Sequence, residues 1–157
     1  MNFSPEHSYK NIQSESSGLP LGRNHIFTTL NQILYQAYNL QSAYAGDPVP
    51  GPAEMDCQAV AAIKDEENVL CVISLRSREL SMEAISAERP GNSDGQSRLE
   101  FILSELSEAV LAEFSSQVEG CFATLLSPSA SLPPAPPALA FAMVAGATPL
   151  EVRLWKT

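Results

Sequence analysis

Glu105 and Glu108 stand three residues apart in the stretch LEFILSELSEAVLAEF, and neither belongs to the apolar pattern that surrounds them. In that stretch Leu99, Ile102, Leu103, Leu106, Val110 and Phe114 recur at steps of three and four, which is one stripe of an α-helix. Side chains three positions apart are neighbours on a helix surface, so the two carboxylates share a face that does not need to be buried. Such a pair is either plain solvated charge, half of a metal site, or the remains of a catalytic pair.

The elements that position the pair can be read from period and punctuation. The helix is expected over residues 97–118, with Ser97 as N-cap, Glu100 completing a capping-box spacing, and Gly120 closing it. An earlier helix is expected over 24–39, with Asn24 as N-cap and Ile26, Leu30, Ile33, Leu34, Ala37 and Tyr38 as its stripe. Residues 58–64 and 69–75 read as a hairpin joined by the polar turn DEEN. In the second of these strands Val69, Cys71, Ile73 and Leu75 share one face, while Leu70 and Val72 share the other. Apolar material on both faces predicts a strand covered by helix on one side and by another segment or chain on the other. A short helix over 78–88 is expected to turn Leu80, Ala84 and Ile85 inward. Strands follow at 121–126, 139–144 and 150–154, the last alternating Leu150, Val152 and Leu154 with Glu151, Arg153 and Trp155. Between the first two lies SPSASLPPAPPA, a Pro-rich stretch that can form neither helix nor ladder and reads as a solvated excursion. Residues 1–22 are polar, end in Gly18, Pro20 and Gly22, and read as a flexible arm ahead of a single domain over 23–157. The fold class expected from this order is α+β: an antiparallel-rich sheet with helices packed on one face.

Composition narrows the partners. A net charge of −9 repels phosphate backbones and anionic lipid, so neither nucleic acid nor membrane is expected as a partner. No window approaches the roughly 18 consecutive apolar residues of a spanning helix. Cys57, Cys71 and Cys121 are odd in number and none lies in a CxxC pair, which points to reduced thiols in a cytoplasmic protein without a zinc site. The first residues carry neither a basic start nor an apolar run, so a secretory signal is not expected.

This order of elements, with CQAVAAIKD and ENVLCVISL as the hairpin, RELSMEAIS as the short helix and AERPGNSDGQ as the loop before the long one, resembles the CheC/CheX family of chemotaxis proteins. The resemblance runs from about Asn24 to Trp155. It implies an α+β fold and a protein partner, a CheY-type receiver domain carrying an aspartyl phosphate. It also implies a signature helix with Glu-x-x-Asn, whose acidic residue engages the receiver's lysine and whose amide places a water in line with the phosphate. Here SELSEAV puts Glu105 at the acidic position and Glu108 at the amide position, and no asparagine occurs from 97 to 118. An amide donates and accepts, whereas a carboxylate only accepts and carries charge toward the phosphate. At ~4 Å and an effective dielectric of ~20, that repulsion is roughly 4 kcal/mol per unit charge. Weak or absent phosphatase activity is therefore expected, with a binding or regulatory role as the leading reading.

Other candidates are weaker. A metal site would also need histidine ligands from other helices, but His7 falls in the expected arm and His25 at the start of the first helix, so a solvated helix face is the preferred reading and no cofactor is expected. On the first helix Asn31 follows Thr28 and Asn39 follows Gln36, so neither repeats the acidic–amide pair. Arg76 and Arg78 form a small basic pair read as a solvated strand end. Tyr35, Tyr38 and Tyr44 read as core-edge and loop anchors. Two alternatives stay open: an active, divergent phosphatase, and a small acidic secretion chaperone. The chaperone should end in an amphipathic helix, whereas this chain ends in PLEVRLWK, which reads as a strand. A homodimer is expected from the two-faced strand at 69–75.

Overall fold

The computed structural model describes residues 22–48, 55–85, 94–116 and 118–157. The elements are α1 (Arg23–Tyr38), β1 (Ser42–Gly46), β2 (Cys57–Lys64), β3 (Val69–Ser77), α2 (Glu79–Glu83), α3 (Gly95–Ser115), β4 (Phe122–Leu126), β5 (Leu139–Ala145) and β6 (Thr148–Lys156). The six strands form one sheet in the order β1-β5-β6-β3-β2-β4, and every neighbouring pair is antiparallel. The expected arm lies outside the described residues except for Gly22, whose carbonyl accepts from the Ile26 N–H at 3.1 Å.

Alternation within each strand sorts the side chains onto two faces. Ala59, Ala61 and Ile63 of β2, Cys71, Ile73 and Leu75 of β3, Phe141 and Met143 of β5, and Leu150, Val152 and Leu154 of β6 point to the main core. The helices close that core, α1 through Ile26, Leu30 and Leu34, and α3 through all six residues of its apolar stripe. Each fully buried aliphatic or aromatic side chain contributes roughly 1.5–3 kcal/mol, so this stripe is what holds α3 to the sheet.

The helix ends differ from expectation in informative ways. Asp94, rather than Ser97, caps α3: its carboxylate accepts from the Ser97 N–H at 2.7 Å. Glu100 does not reach back to the cap; its carboxylate accepts from Gln96 Nε2 at 3.0 Å. Helix α1 begins at Arg23 behind Gly22 with no side-chain cap, so Asn24 is already inside it. Its other end is closed by Asn39, which adopts φ 57°, a left-handed conformation asparagine tolerates well. The long helix stops at Ser115, before Gly120.

In and just after α2, Ile85 is buried as expected, but Leu80 is 74% exposed and Ala84 is exposed, and Met82 takes the inward place instead. A single turn cannot aim every apolar residue inward, and the buried Arg98 guanidinium fixes which way it faces. Arg98 donates from Nη1 to the carbonyls of Met82 (2.9 Å), Glu83 (3.4 Å) and Ile85, and lies over the Tyr38 ring at 5.9 Å from its centroid. A cation at the carbonyl end of a helix opposes its dipole. One arginine thus ties α1, α2 and α3 together.

Two further differences concern the sheet. Strand β1 (SAYAG) is not foreshadowed by the sequence, because one aromatic, Tyr44, among Ser, Ala and Gly makes no alternating pattern; it forms by pairing along β5. The Pro-rich stretch is mostly exposed, as expected, but it is also seated on the sheet. It joins β4 at one edge of the sheet to β5 near the other, so it must cross β6, β3 and β2 on the face away from the helices. There Leu132 packs on Val60, Val72 and Trp155. The segment that covers the second face of β3 is therefore the chain's own.

Candidate functional site

Glu105 and Glu108 lie on the outward side of α3, both exposed, while the neighbouring Leu106 and Ser107 are buried. The helix period that sends the stripe into the core sends these two carboxylates out. Neither makes a hydrogen bond or ion pair with any described residue. The helix carries four glutamates and one arginine, and that arginine, Arg98, is buried against α2. The outward face of α3 therefore presents uncompensated negative charge.

Half-buried Phe101 and Ser104 border the pair on the side of α1, where Tyr38 meets Phe101 edge-on at 6.4 Å between ring centroids. What the arrangement can do chemically is accept hydrogen bonds and hold a cation. It contains no amide; the donor beside the pair is the Ser104 hydroxyl.

No group of three or more His, Cys, Asp or Glu able to hold a metal occurs among the described residues. His25 sits exposed in the first turn of α1, and His7 lies outside the described residues. Asn31 is half-buried on α1 and Asn39 is spent on closing that helix.

Cys57 and Cys71 are poor nucleophiles. Burial first, and then the nearby charges of Glu79, Asp56, Asp94 and Glu100, push the Cys57 thiol up to about 11. Its Sγ donates to Gln96 Oε1 at 3.1 Å. Burial alone pushes Cys71 up to about 12. A thiol held protonated neither attacks nor binds metal readily.

A polar cluster on the other face of the sheet escaped the sequence reading. Glu151 of β6 is buried and accepts on Oε1 from Arg153 at 2.8 Å, with Arg76 of β3 at 3.6 Å from the same oxygen. Arg76 also donates to the Met55 carbonyl at 3.1 Å. It is thus a member of a cross-strand ion cluster and not a solvated strand end. The signal was present in the alternation of LEVRLW, but the pairing of Arg76 with Glu151 depends on the β3–β6 register.

The class defined by this architecture is the CheX/CheC-like α+β fold: a six-stranded antiparallel sheet with its long helix laid across one face. The fold is similar to the solved structures of chemotaxis protein CheX from Desulfovibrio desulfuricans (TM-score 0.57, 14% identity, covering 84% of this chain and 96% of that one) and of CheX from Vibrio vulnificus (0.53, 12%, 83% and 94%). A CheC-like superfamily protein from Shewanella sp. PV-4 is also similar (0.51, 9%, 83% and 95%). No protein-family model matches the chain, and no curated protein matches it in sequence. No helix among the described residues is long and apolar enough to cross a membrane.

Proposed function

We propose that this chain is a CheC/CheX-like module of bacterial chemotaxis or two-component signalling that binds a phosphorylated CheY-type receiver domain and hydrolyses its aspartyl phosphate weakly or not at all. The observation that carries the reading is the outward Glu105 on the long helix of a CheX-like fold, with Glu108 where the resemblance calls for an amide. Glu105 is free to meet a partner's ammonium group. Glu108 adds charge where a phosphate would approach, and it has no proton to give a water. With positioning and charge stabilisation providing nearly all of phosphoryl-transfer catalysis, losing the amide removes most of the rate while leaving the docking face.

The test measures decay of a phosphorylated receiver alone, with this protein, and with Glu105→Ala, together with receiver binding by calorimetry. The expected result is unchanged decay and binding that weakens about tenfold or more in the variant. An acceleration of twofold or more that disappears in Glu105→Ala would establish the divergent phosphatase instead. No binding at all would remove the receiver as partner.

Two further expectations belong with this reading. The three unpaired thiols support a reducing, cytoplasmic compartment. The secretion-chaperone alternative is disfavoured because the segment PLEVRLWK lies inside the sheet, with β6 paired to β3 and to β5. The homodimer no longer draws support from β3, whose second face is covered by residues 127–138. It rests on β1 and β4, which have no further strand beside them among the described residues. Light scattering at high concentration decides it.

A further inference from the structure

On the sheet face away from the helices, Val60, Val72 and Trp155 form a second apolar cluster, bordered by Leu126. Val72 lies directly opposite Trp155 across β3 and β6, so the indole and the valine make one floor. The segment seated on this floor belongs to no strand and no helix. Leu132 packs into the cluster, Trp155 Nε1 donates to the Ala135 carbonyl at 2.8 Å, and Gln58 Nε2 donates to the Pro128 carbonyl at 3.0 Å.

The chemistry of the seated segment explains these contacts. Pro133, Pro134, Pro136 and Pro137 have no N–H and hold φ near about −65°, so the backbone is preset and offers carbonyls only. A surface that reads such a chain needs a flat apolar floor and side-chain donors aimed at carbonyl oxygens. Trp155 supplies both, and Gln58 supplies a second donor. Aromatic-lined grooves take proline-rich peptides by this combination, at low entropic cost because the ligand is already extended.

We propose that this face is a docking site for extended proline-rich peptides, filled in cis by residues 131–137 and open to such a peptide in trans when the cis segment is displaced. The site is on the opposite side of the sheet from Glu105 and does not depend on the receiver reading.

Trp155 is the chain's only tryptophan, so its signal reports the site directly. In the full chain, residues 131–137 are exchanged for an equal number of glycines and serines, and the peptide SASLPPAPPA is the probe. The exchange should shift Trp155 emission to the red, and added peptide should return it to the blue saturably. Affinity should be about tenfold or more above that of the intact chain, where the cis segment competes at an effective concentration of order millimolar. A peptide with its four prolines replaced by alanine should bind about tenfold more weakly. A folded exchanged chain that ignores millimolar peptide, or responds equally to the alanine peptide, overturns the proposal.

Should the exchanged chain not fold, the intact chain and Leu132→Ala carry the test through the single indole N–H resonance. Millimolar peptide should shift it saturably, at lower concentration in Leu132→Ala. No shift in either chain overturns the proposal.

Discussion

Replacing Glu108 by asparagine should convert a binding face into a hydrolytic one. The substitution leaves Glu105 in place, removes one exposed charge and installs an amide one helical turn from it. Because Glu108 is exposed and its carboxylate makes no hydrogen bond or ion pair with a described residue, stability should change by no more than about 0.5 kcal/mol. The electrostatic gain is bounded by how far the receiver excludes water. At ~4 Å from a phosphate oxygen, one negative charge costs about 1 kcal/mol at the dielectric of water and roughly 4 kcal/mol at an effective dielectric of ~20. At tenfold per 1.4 kcal/mol, relief alone predicts binding of the phosphorylated receiver tighter by between about fivefold and roughly a thousandfold, and the amide's placing of a water supplies the acceleration of decay. Glu108→Gln separates the two contributions: it removes the same charge but displaces the amide by a methylene, so it should tighten receiver binding with a smaller gain in rate. The assay is receiver-phosphate decay at saturating protein, with Glu105→Ala/Glu108→Asn as the control that should abolish the gain. A Glu108→Asn protein that binds the phosphorylated receiver yet accelerates decay less than twofold would refute the argument that charge and the missing amide limit the chemistry.

The remaining predictions concern stability. Glu151→Gln leaves the Arg76 and Arg153 guanidiniums without a counter-charge; because both arginines retain some exposure, about 2–4 kcal/mol should be lost, short of the value for a fully buried pair. Thermal unfolding should then fall by roughly 5–15 °C, while the triple variant Arg76→Met/Glu151→Met/Arg153→Met should recover to within about 1 kcal/mol, and additive losses would count against a coupled cluster. Gly95→Ala places a Cβ 2.6 Å from the Glu79 carbonyl oxygen and should cost about 1–3 kcal/mol by pushing α2 off α3; an unchanged melting temperature would contradict that close approach. Asp94 is held below the usual carboxylate range mainly by the Ser97 N–H it accepts. Its contribution is therefore present above the ordinary aspartate range and disappears as pH falls through the lowered folded value. The melting-temperature gap between the parent and Asp94→Ala should accordingly close on acidification, and a gap that widens in acid would exclude capping by the ionised carboxylate.

The sequence by itself determined which residues of α3 go in and which go out, because helical period is a local property: Leu99 through Phe114 are buried and Glu105 and Glu108 are exposed. From Cys71 to Leu75 it also set the two faces of β3, since alternation along a strand needs no knowledge of its neighbours; at the start of the strand, where the register with β2 shifts, Val69 is exposed and Leu70 packs on the main core instead. Helix ends were less legible, because Asp94 and Ser97 are both competent caps and packing against α2 decides between them. Strand β1 was illegible, its pairing supplied by β5 rather than by its own residues. What covers the second face of β3 was likewise a question for the tertiary structure: the strand order puts β4 and β5 on opposite sides of the sheet and so draws residues 127–138 across Trp155. The meeting of Arg76 with Glu151 had the same origin, for side chains 75 positions apart become neighbours only when a register is chosen. Period and alternation act within a few residues and survive in one dimension, whereas covering, pairing and charge neutralisation join distant parts of the chain and exist only once it has folded.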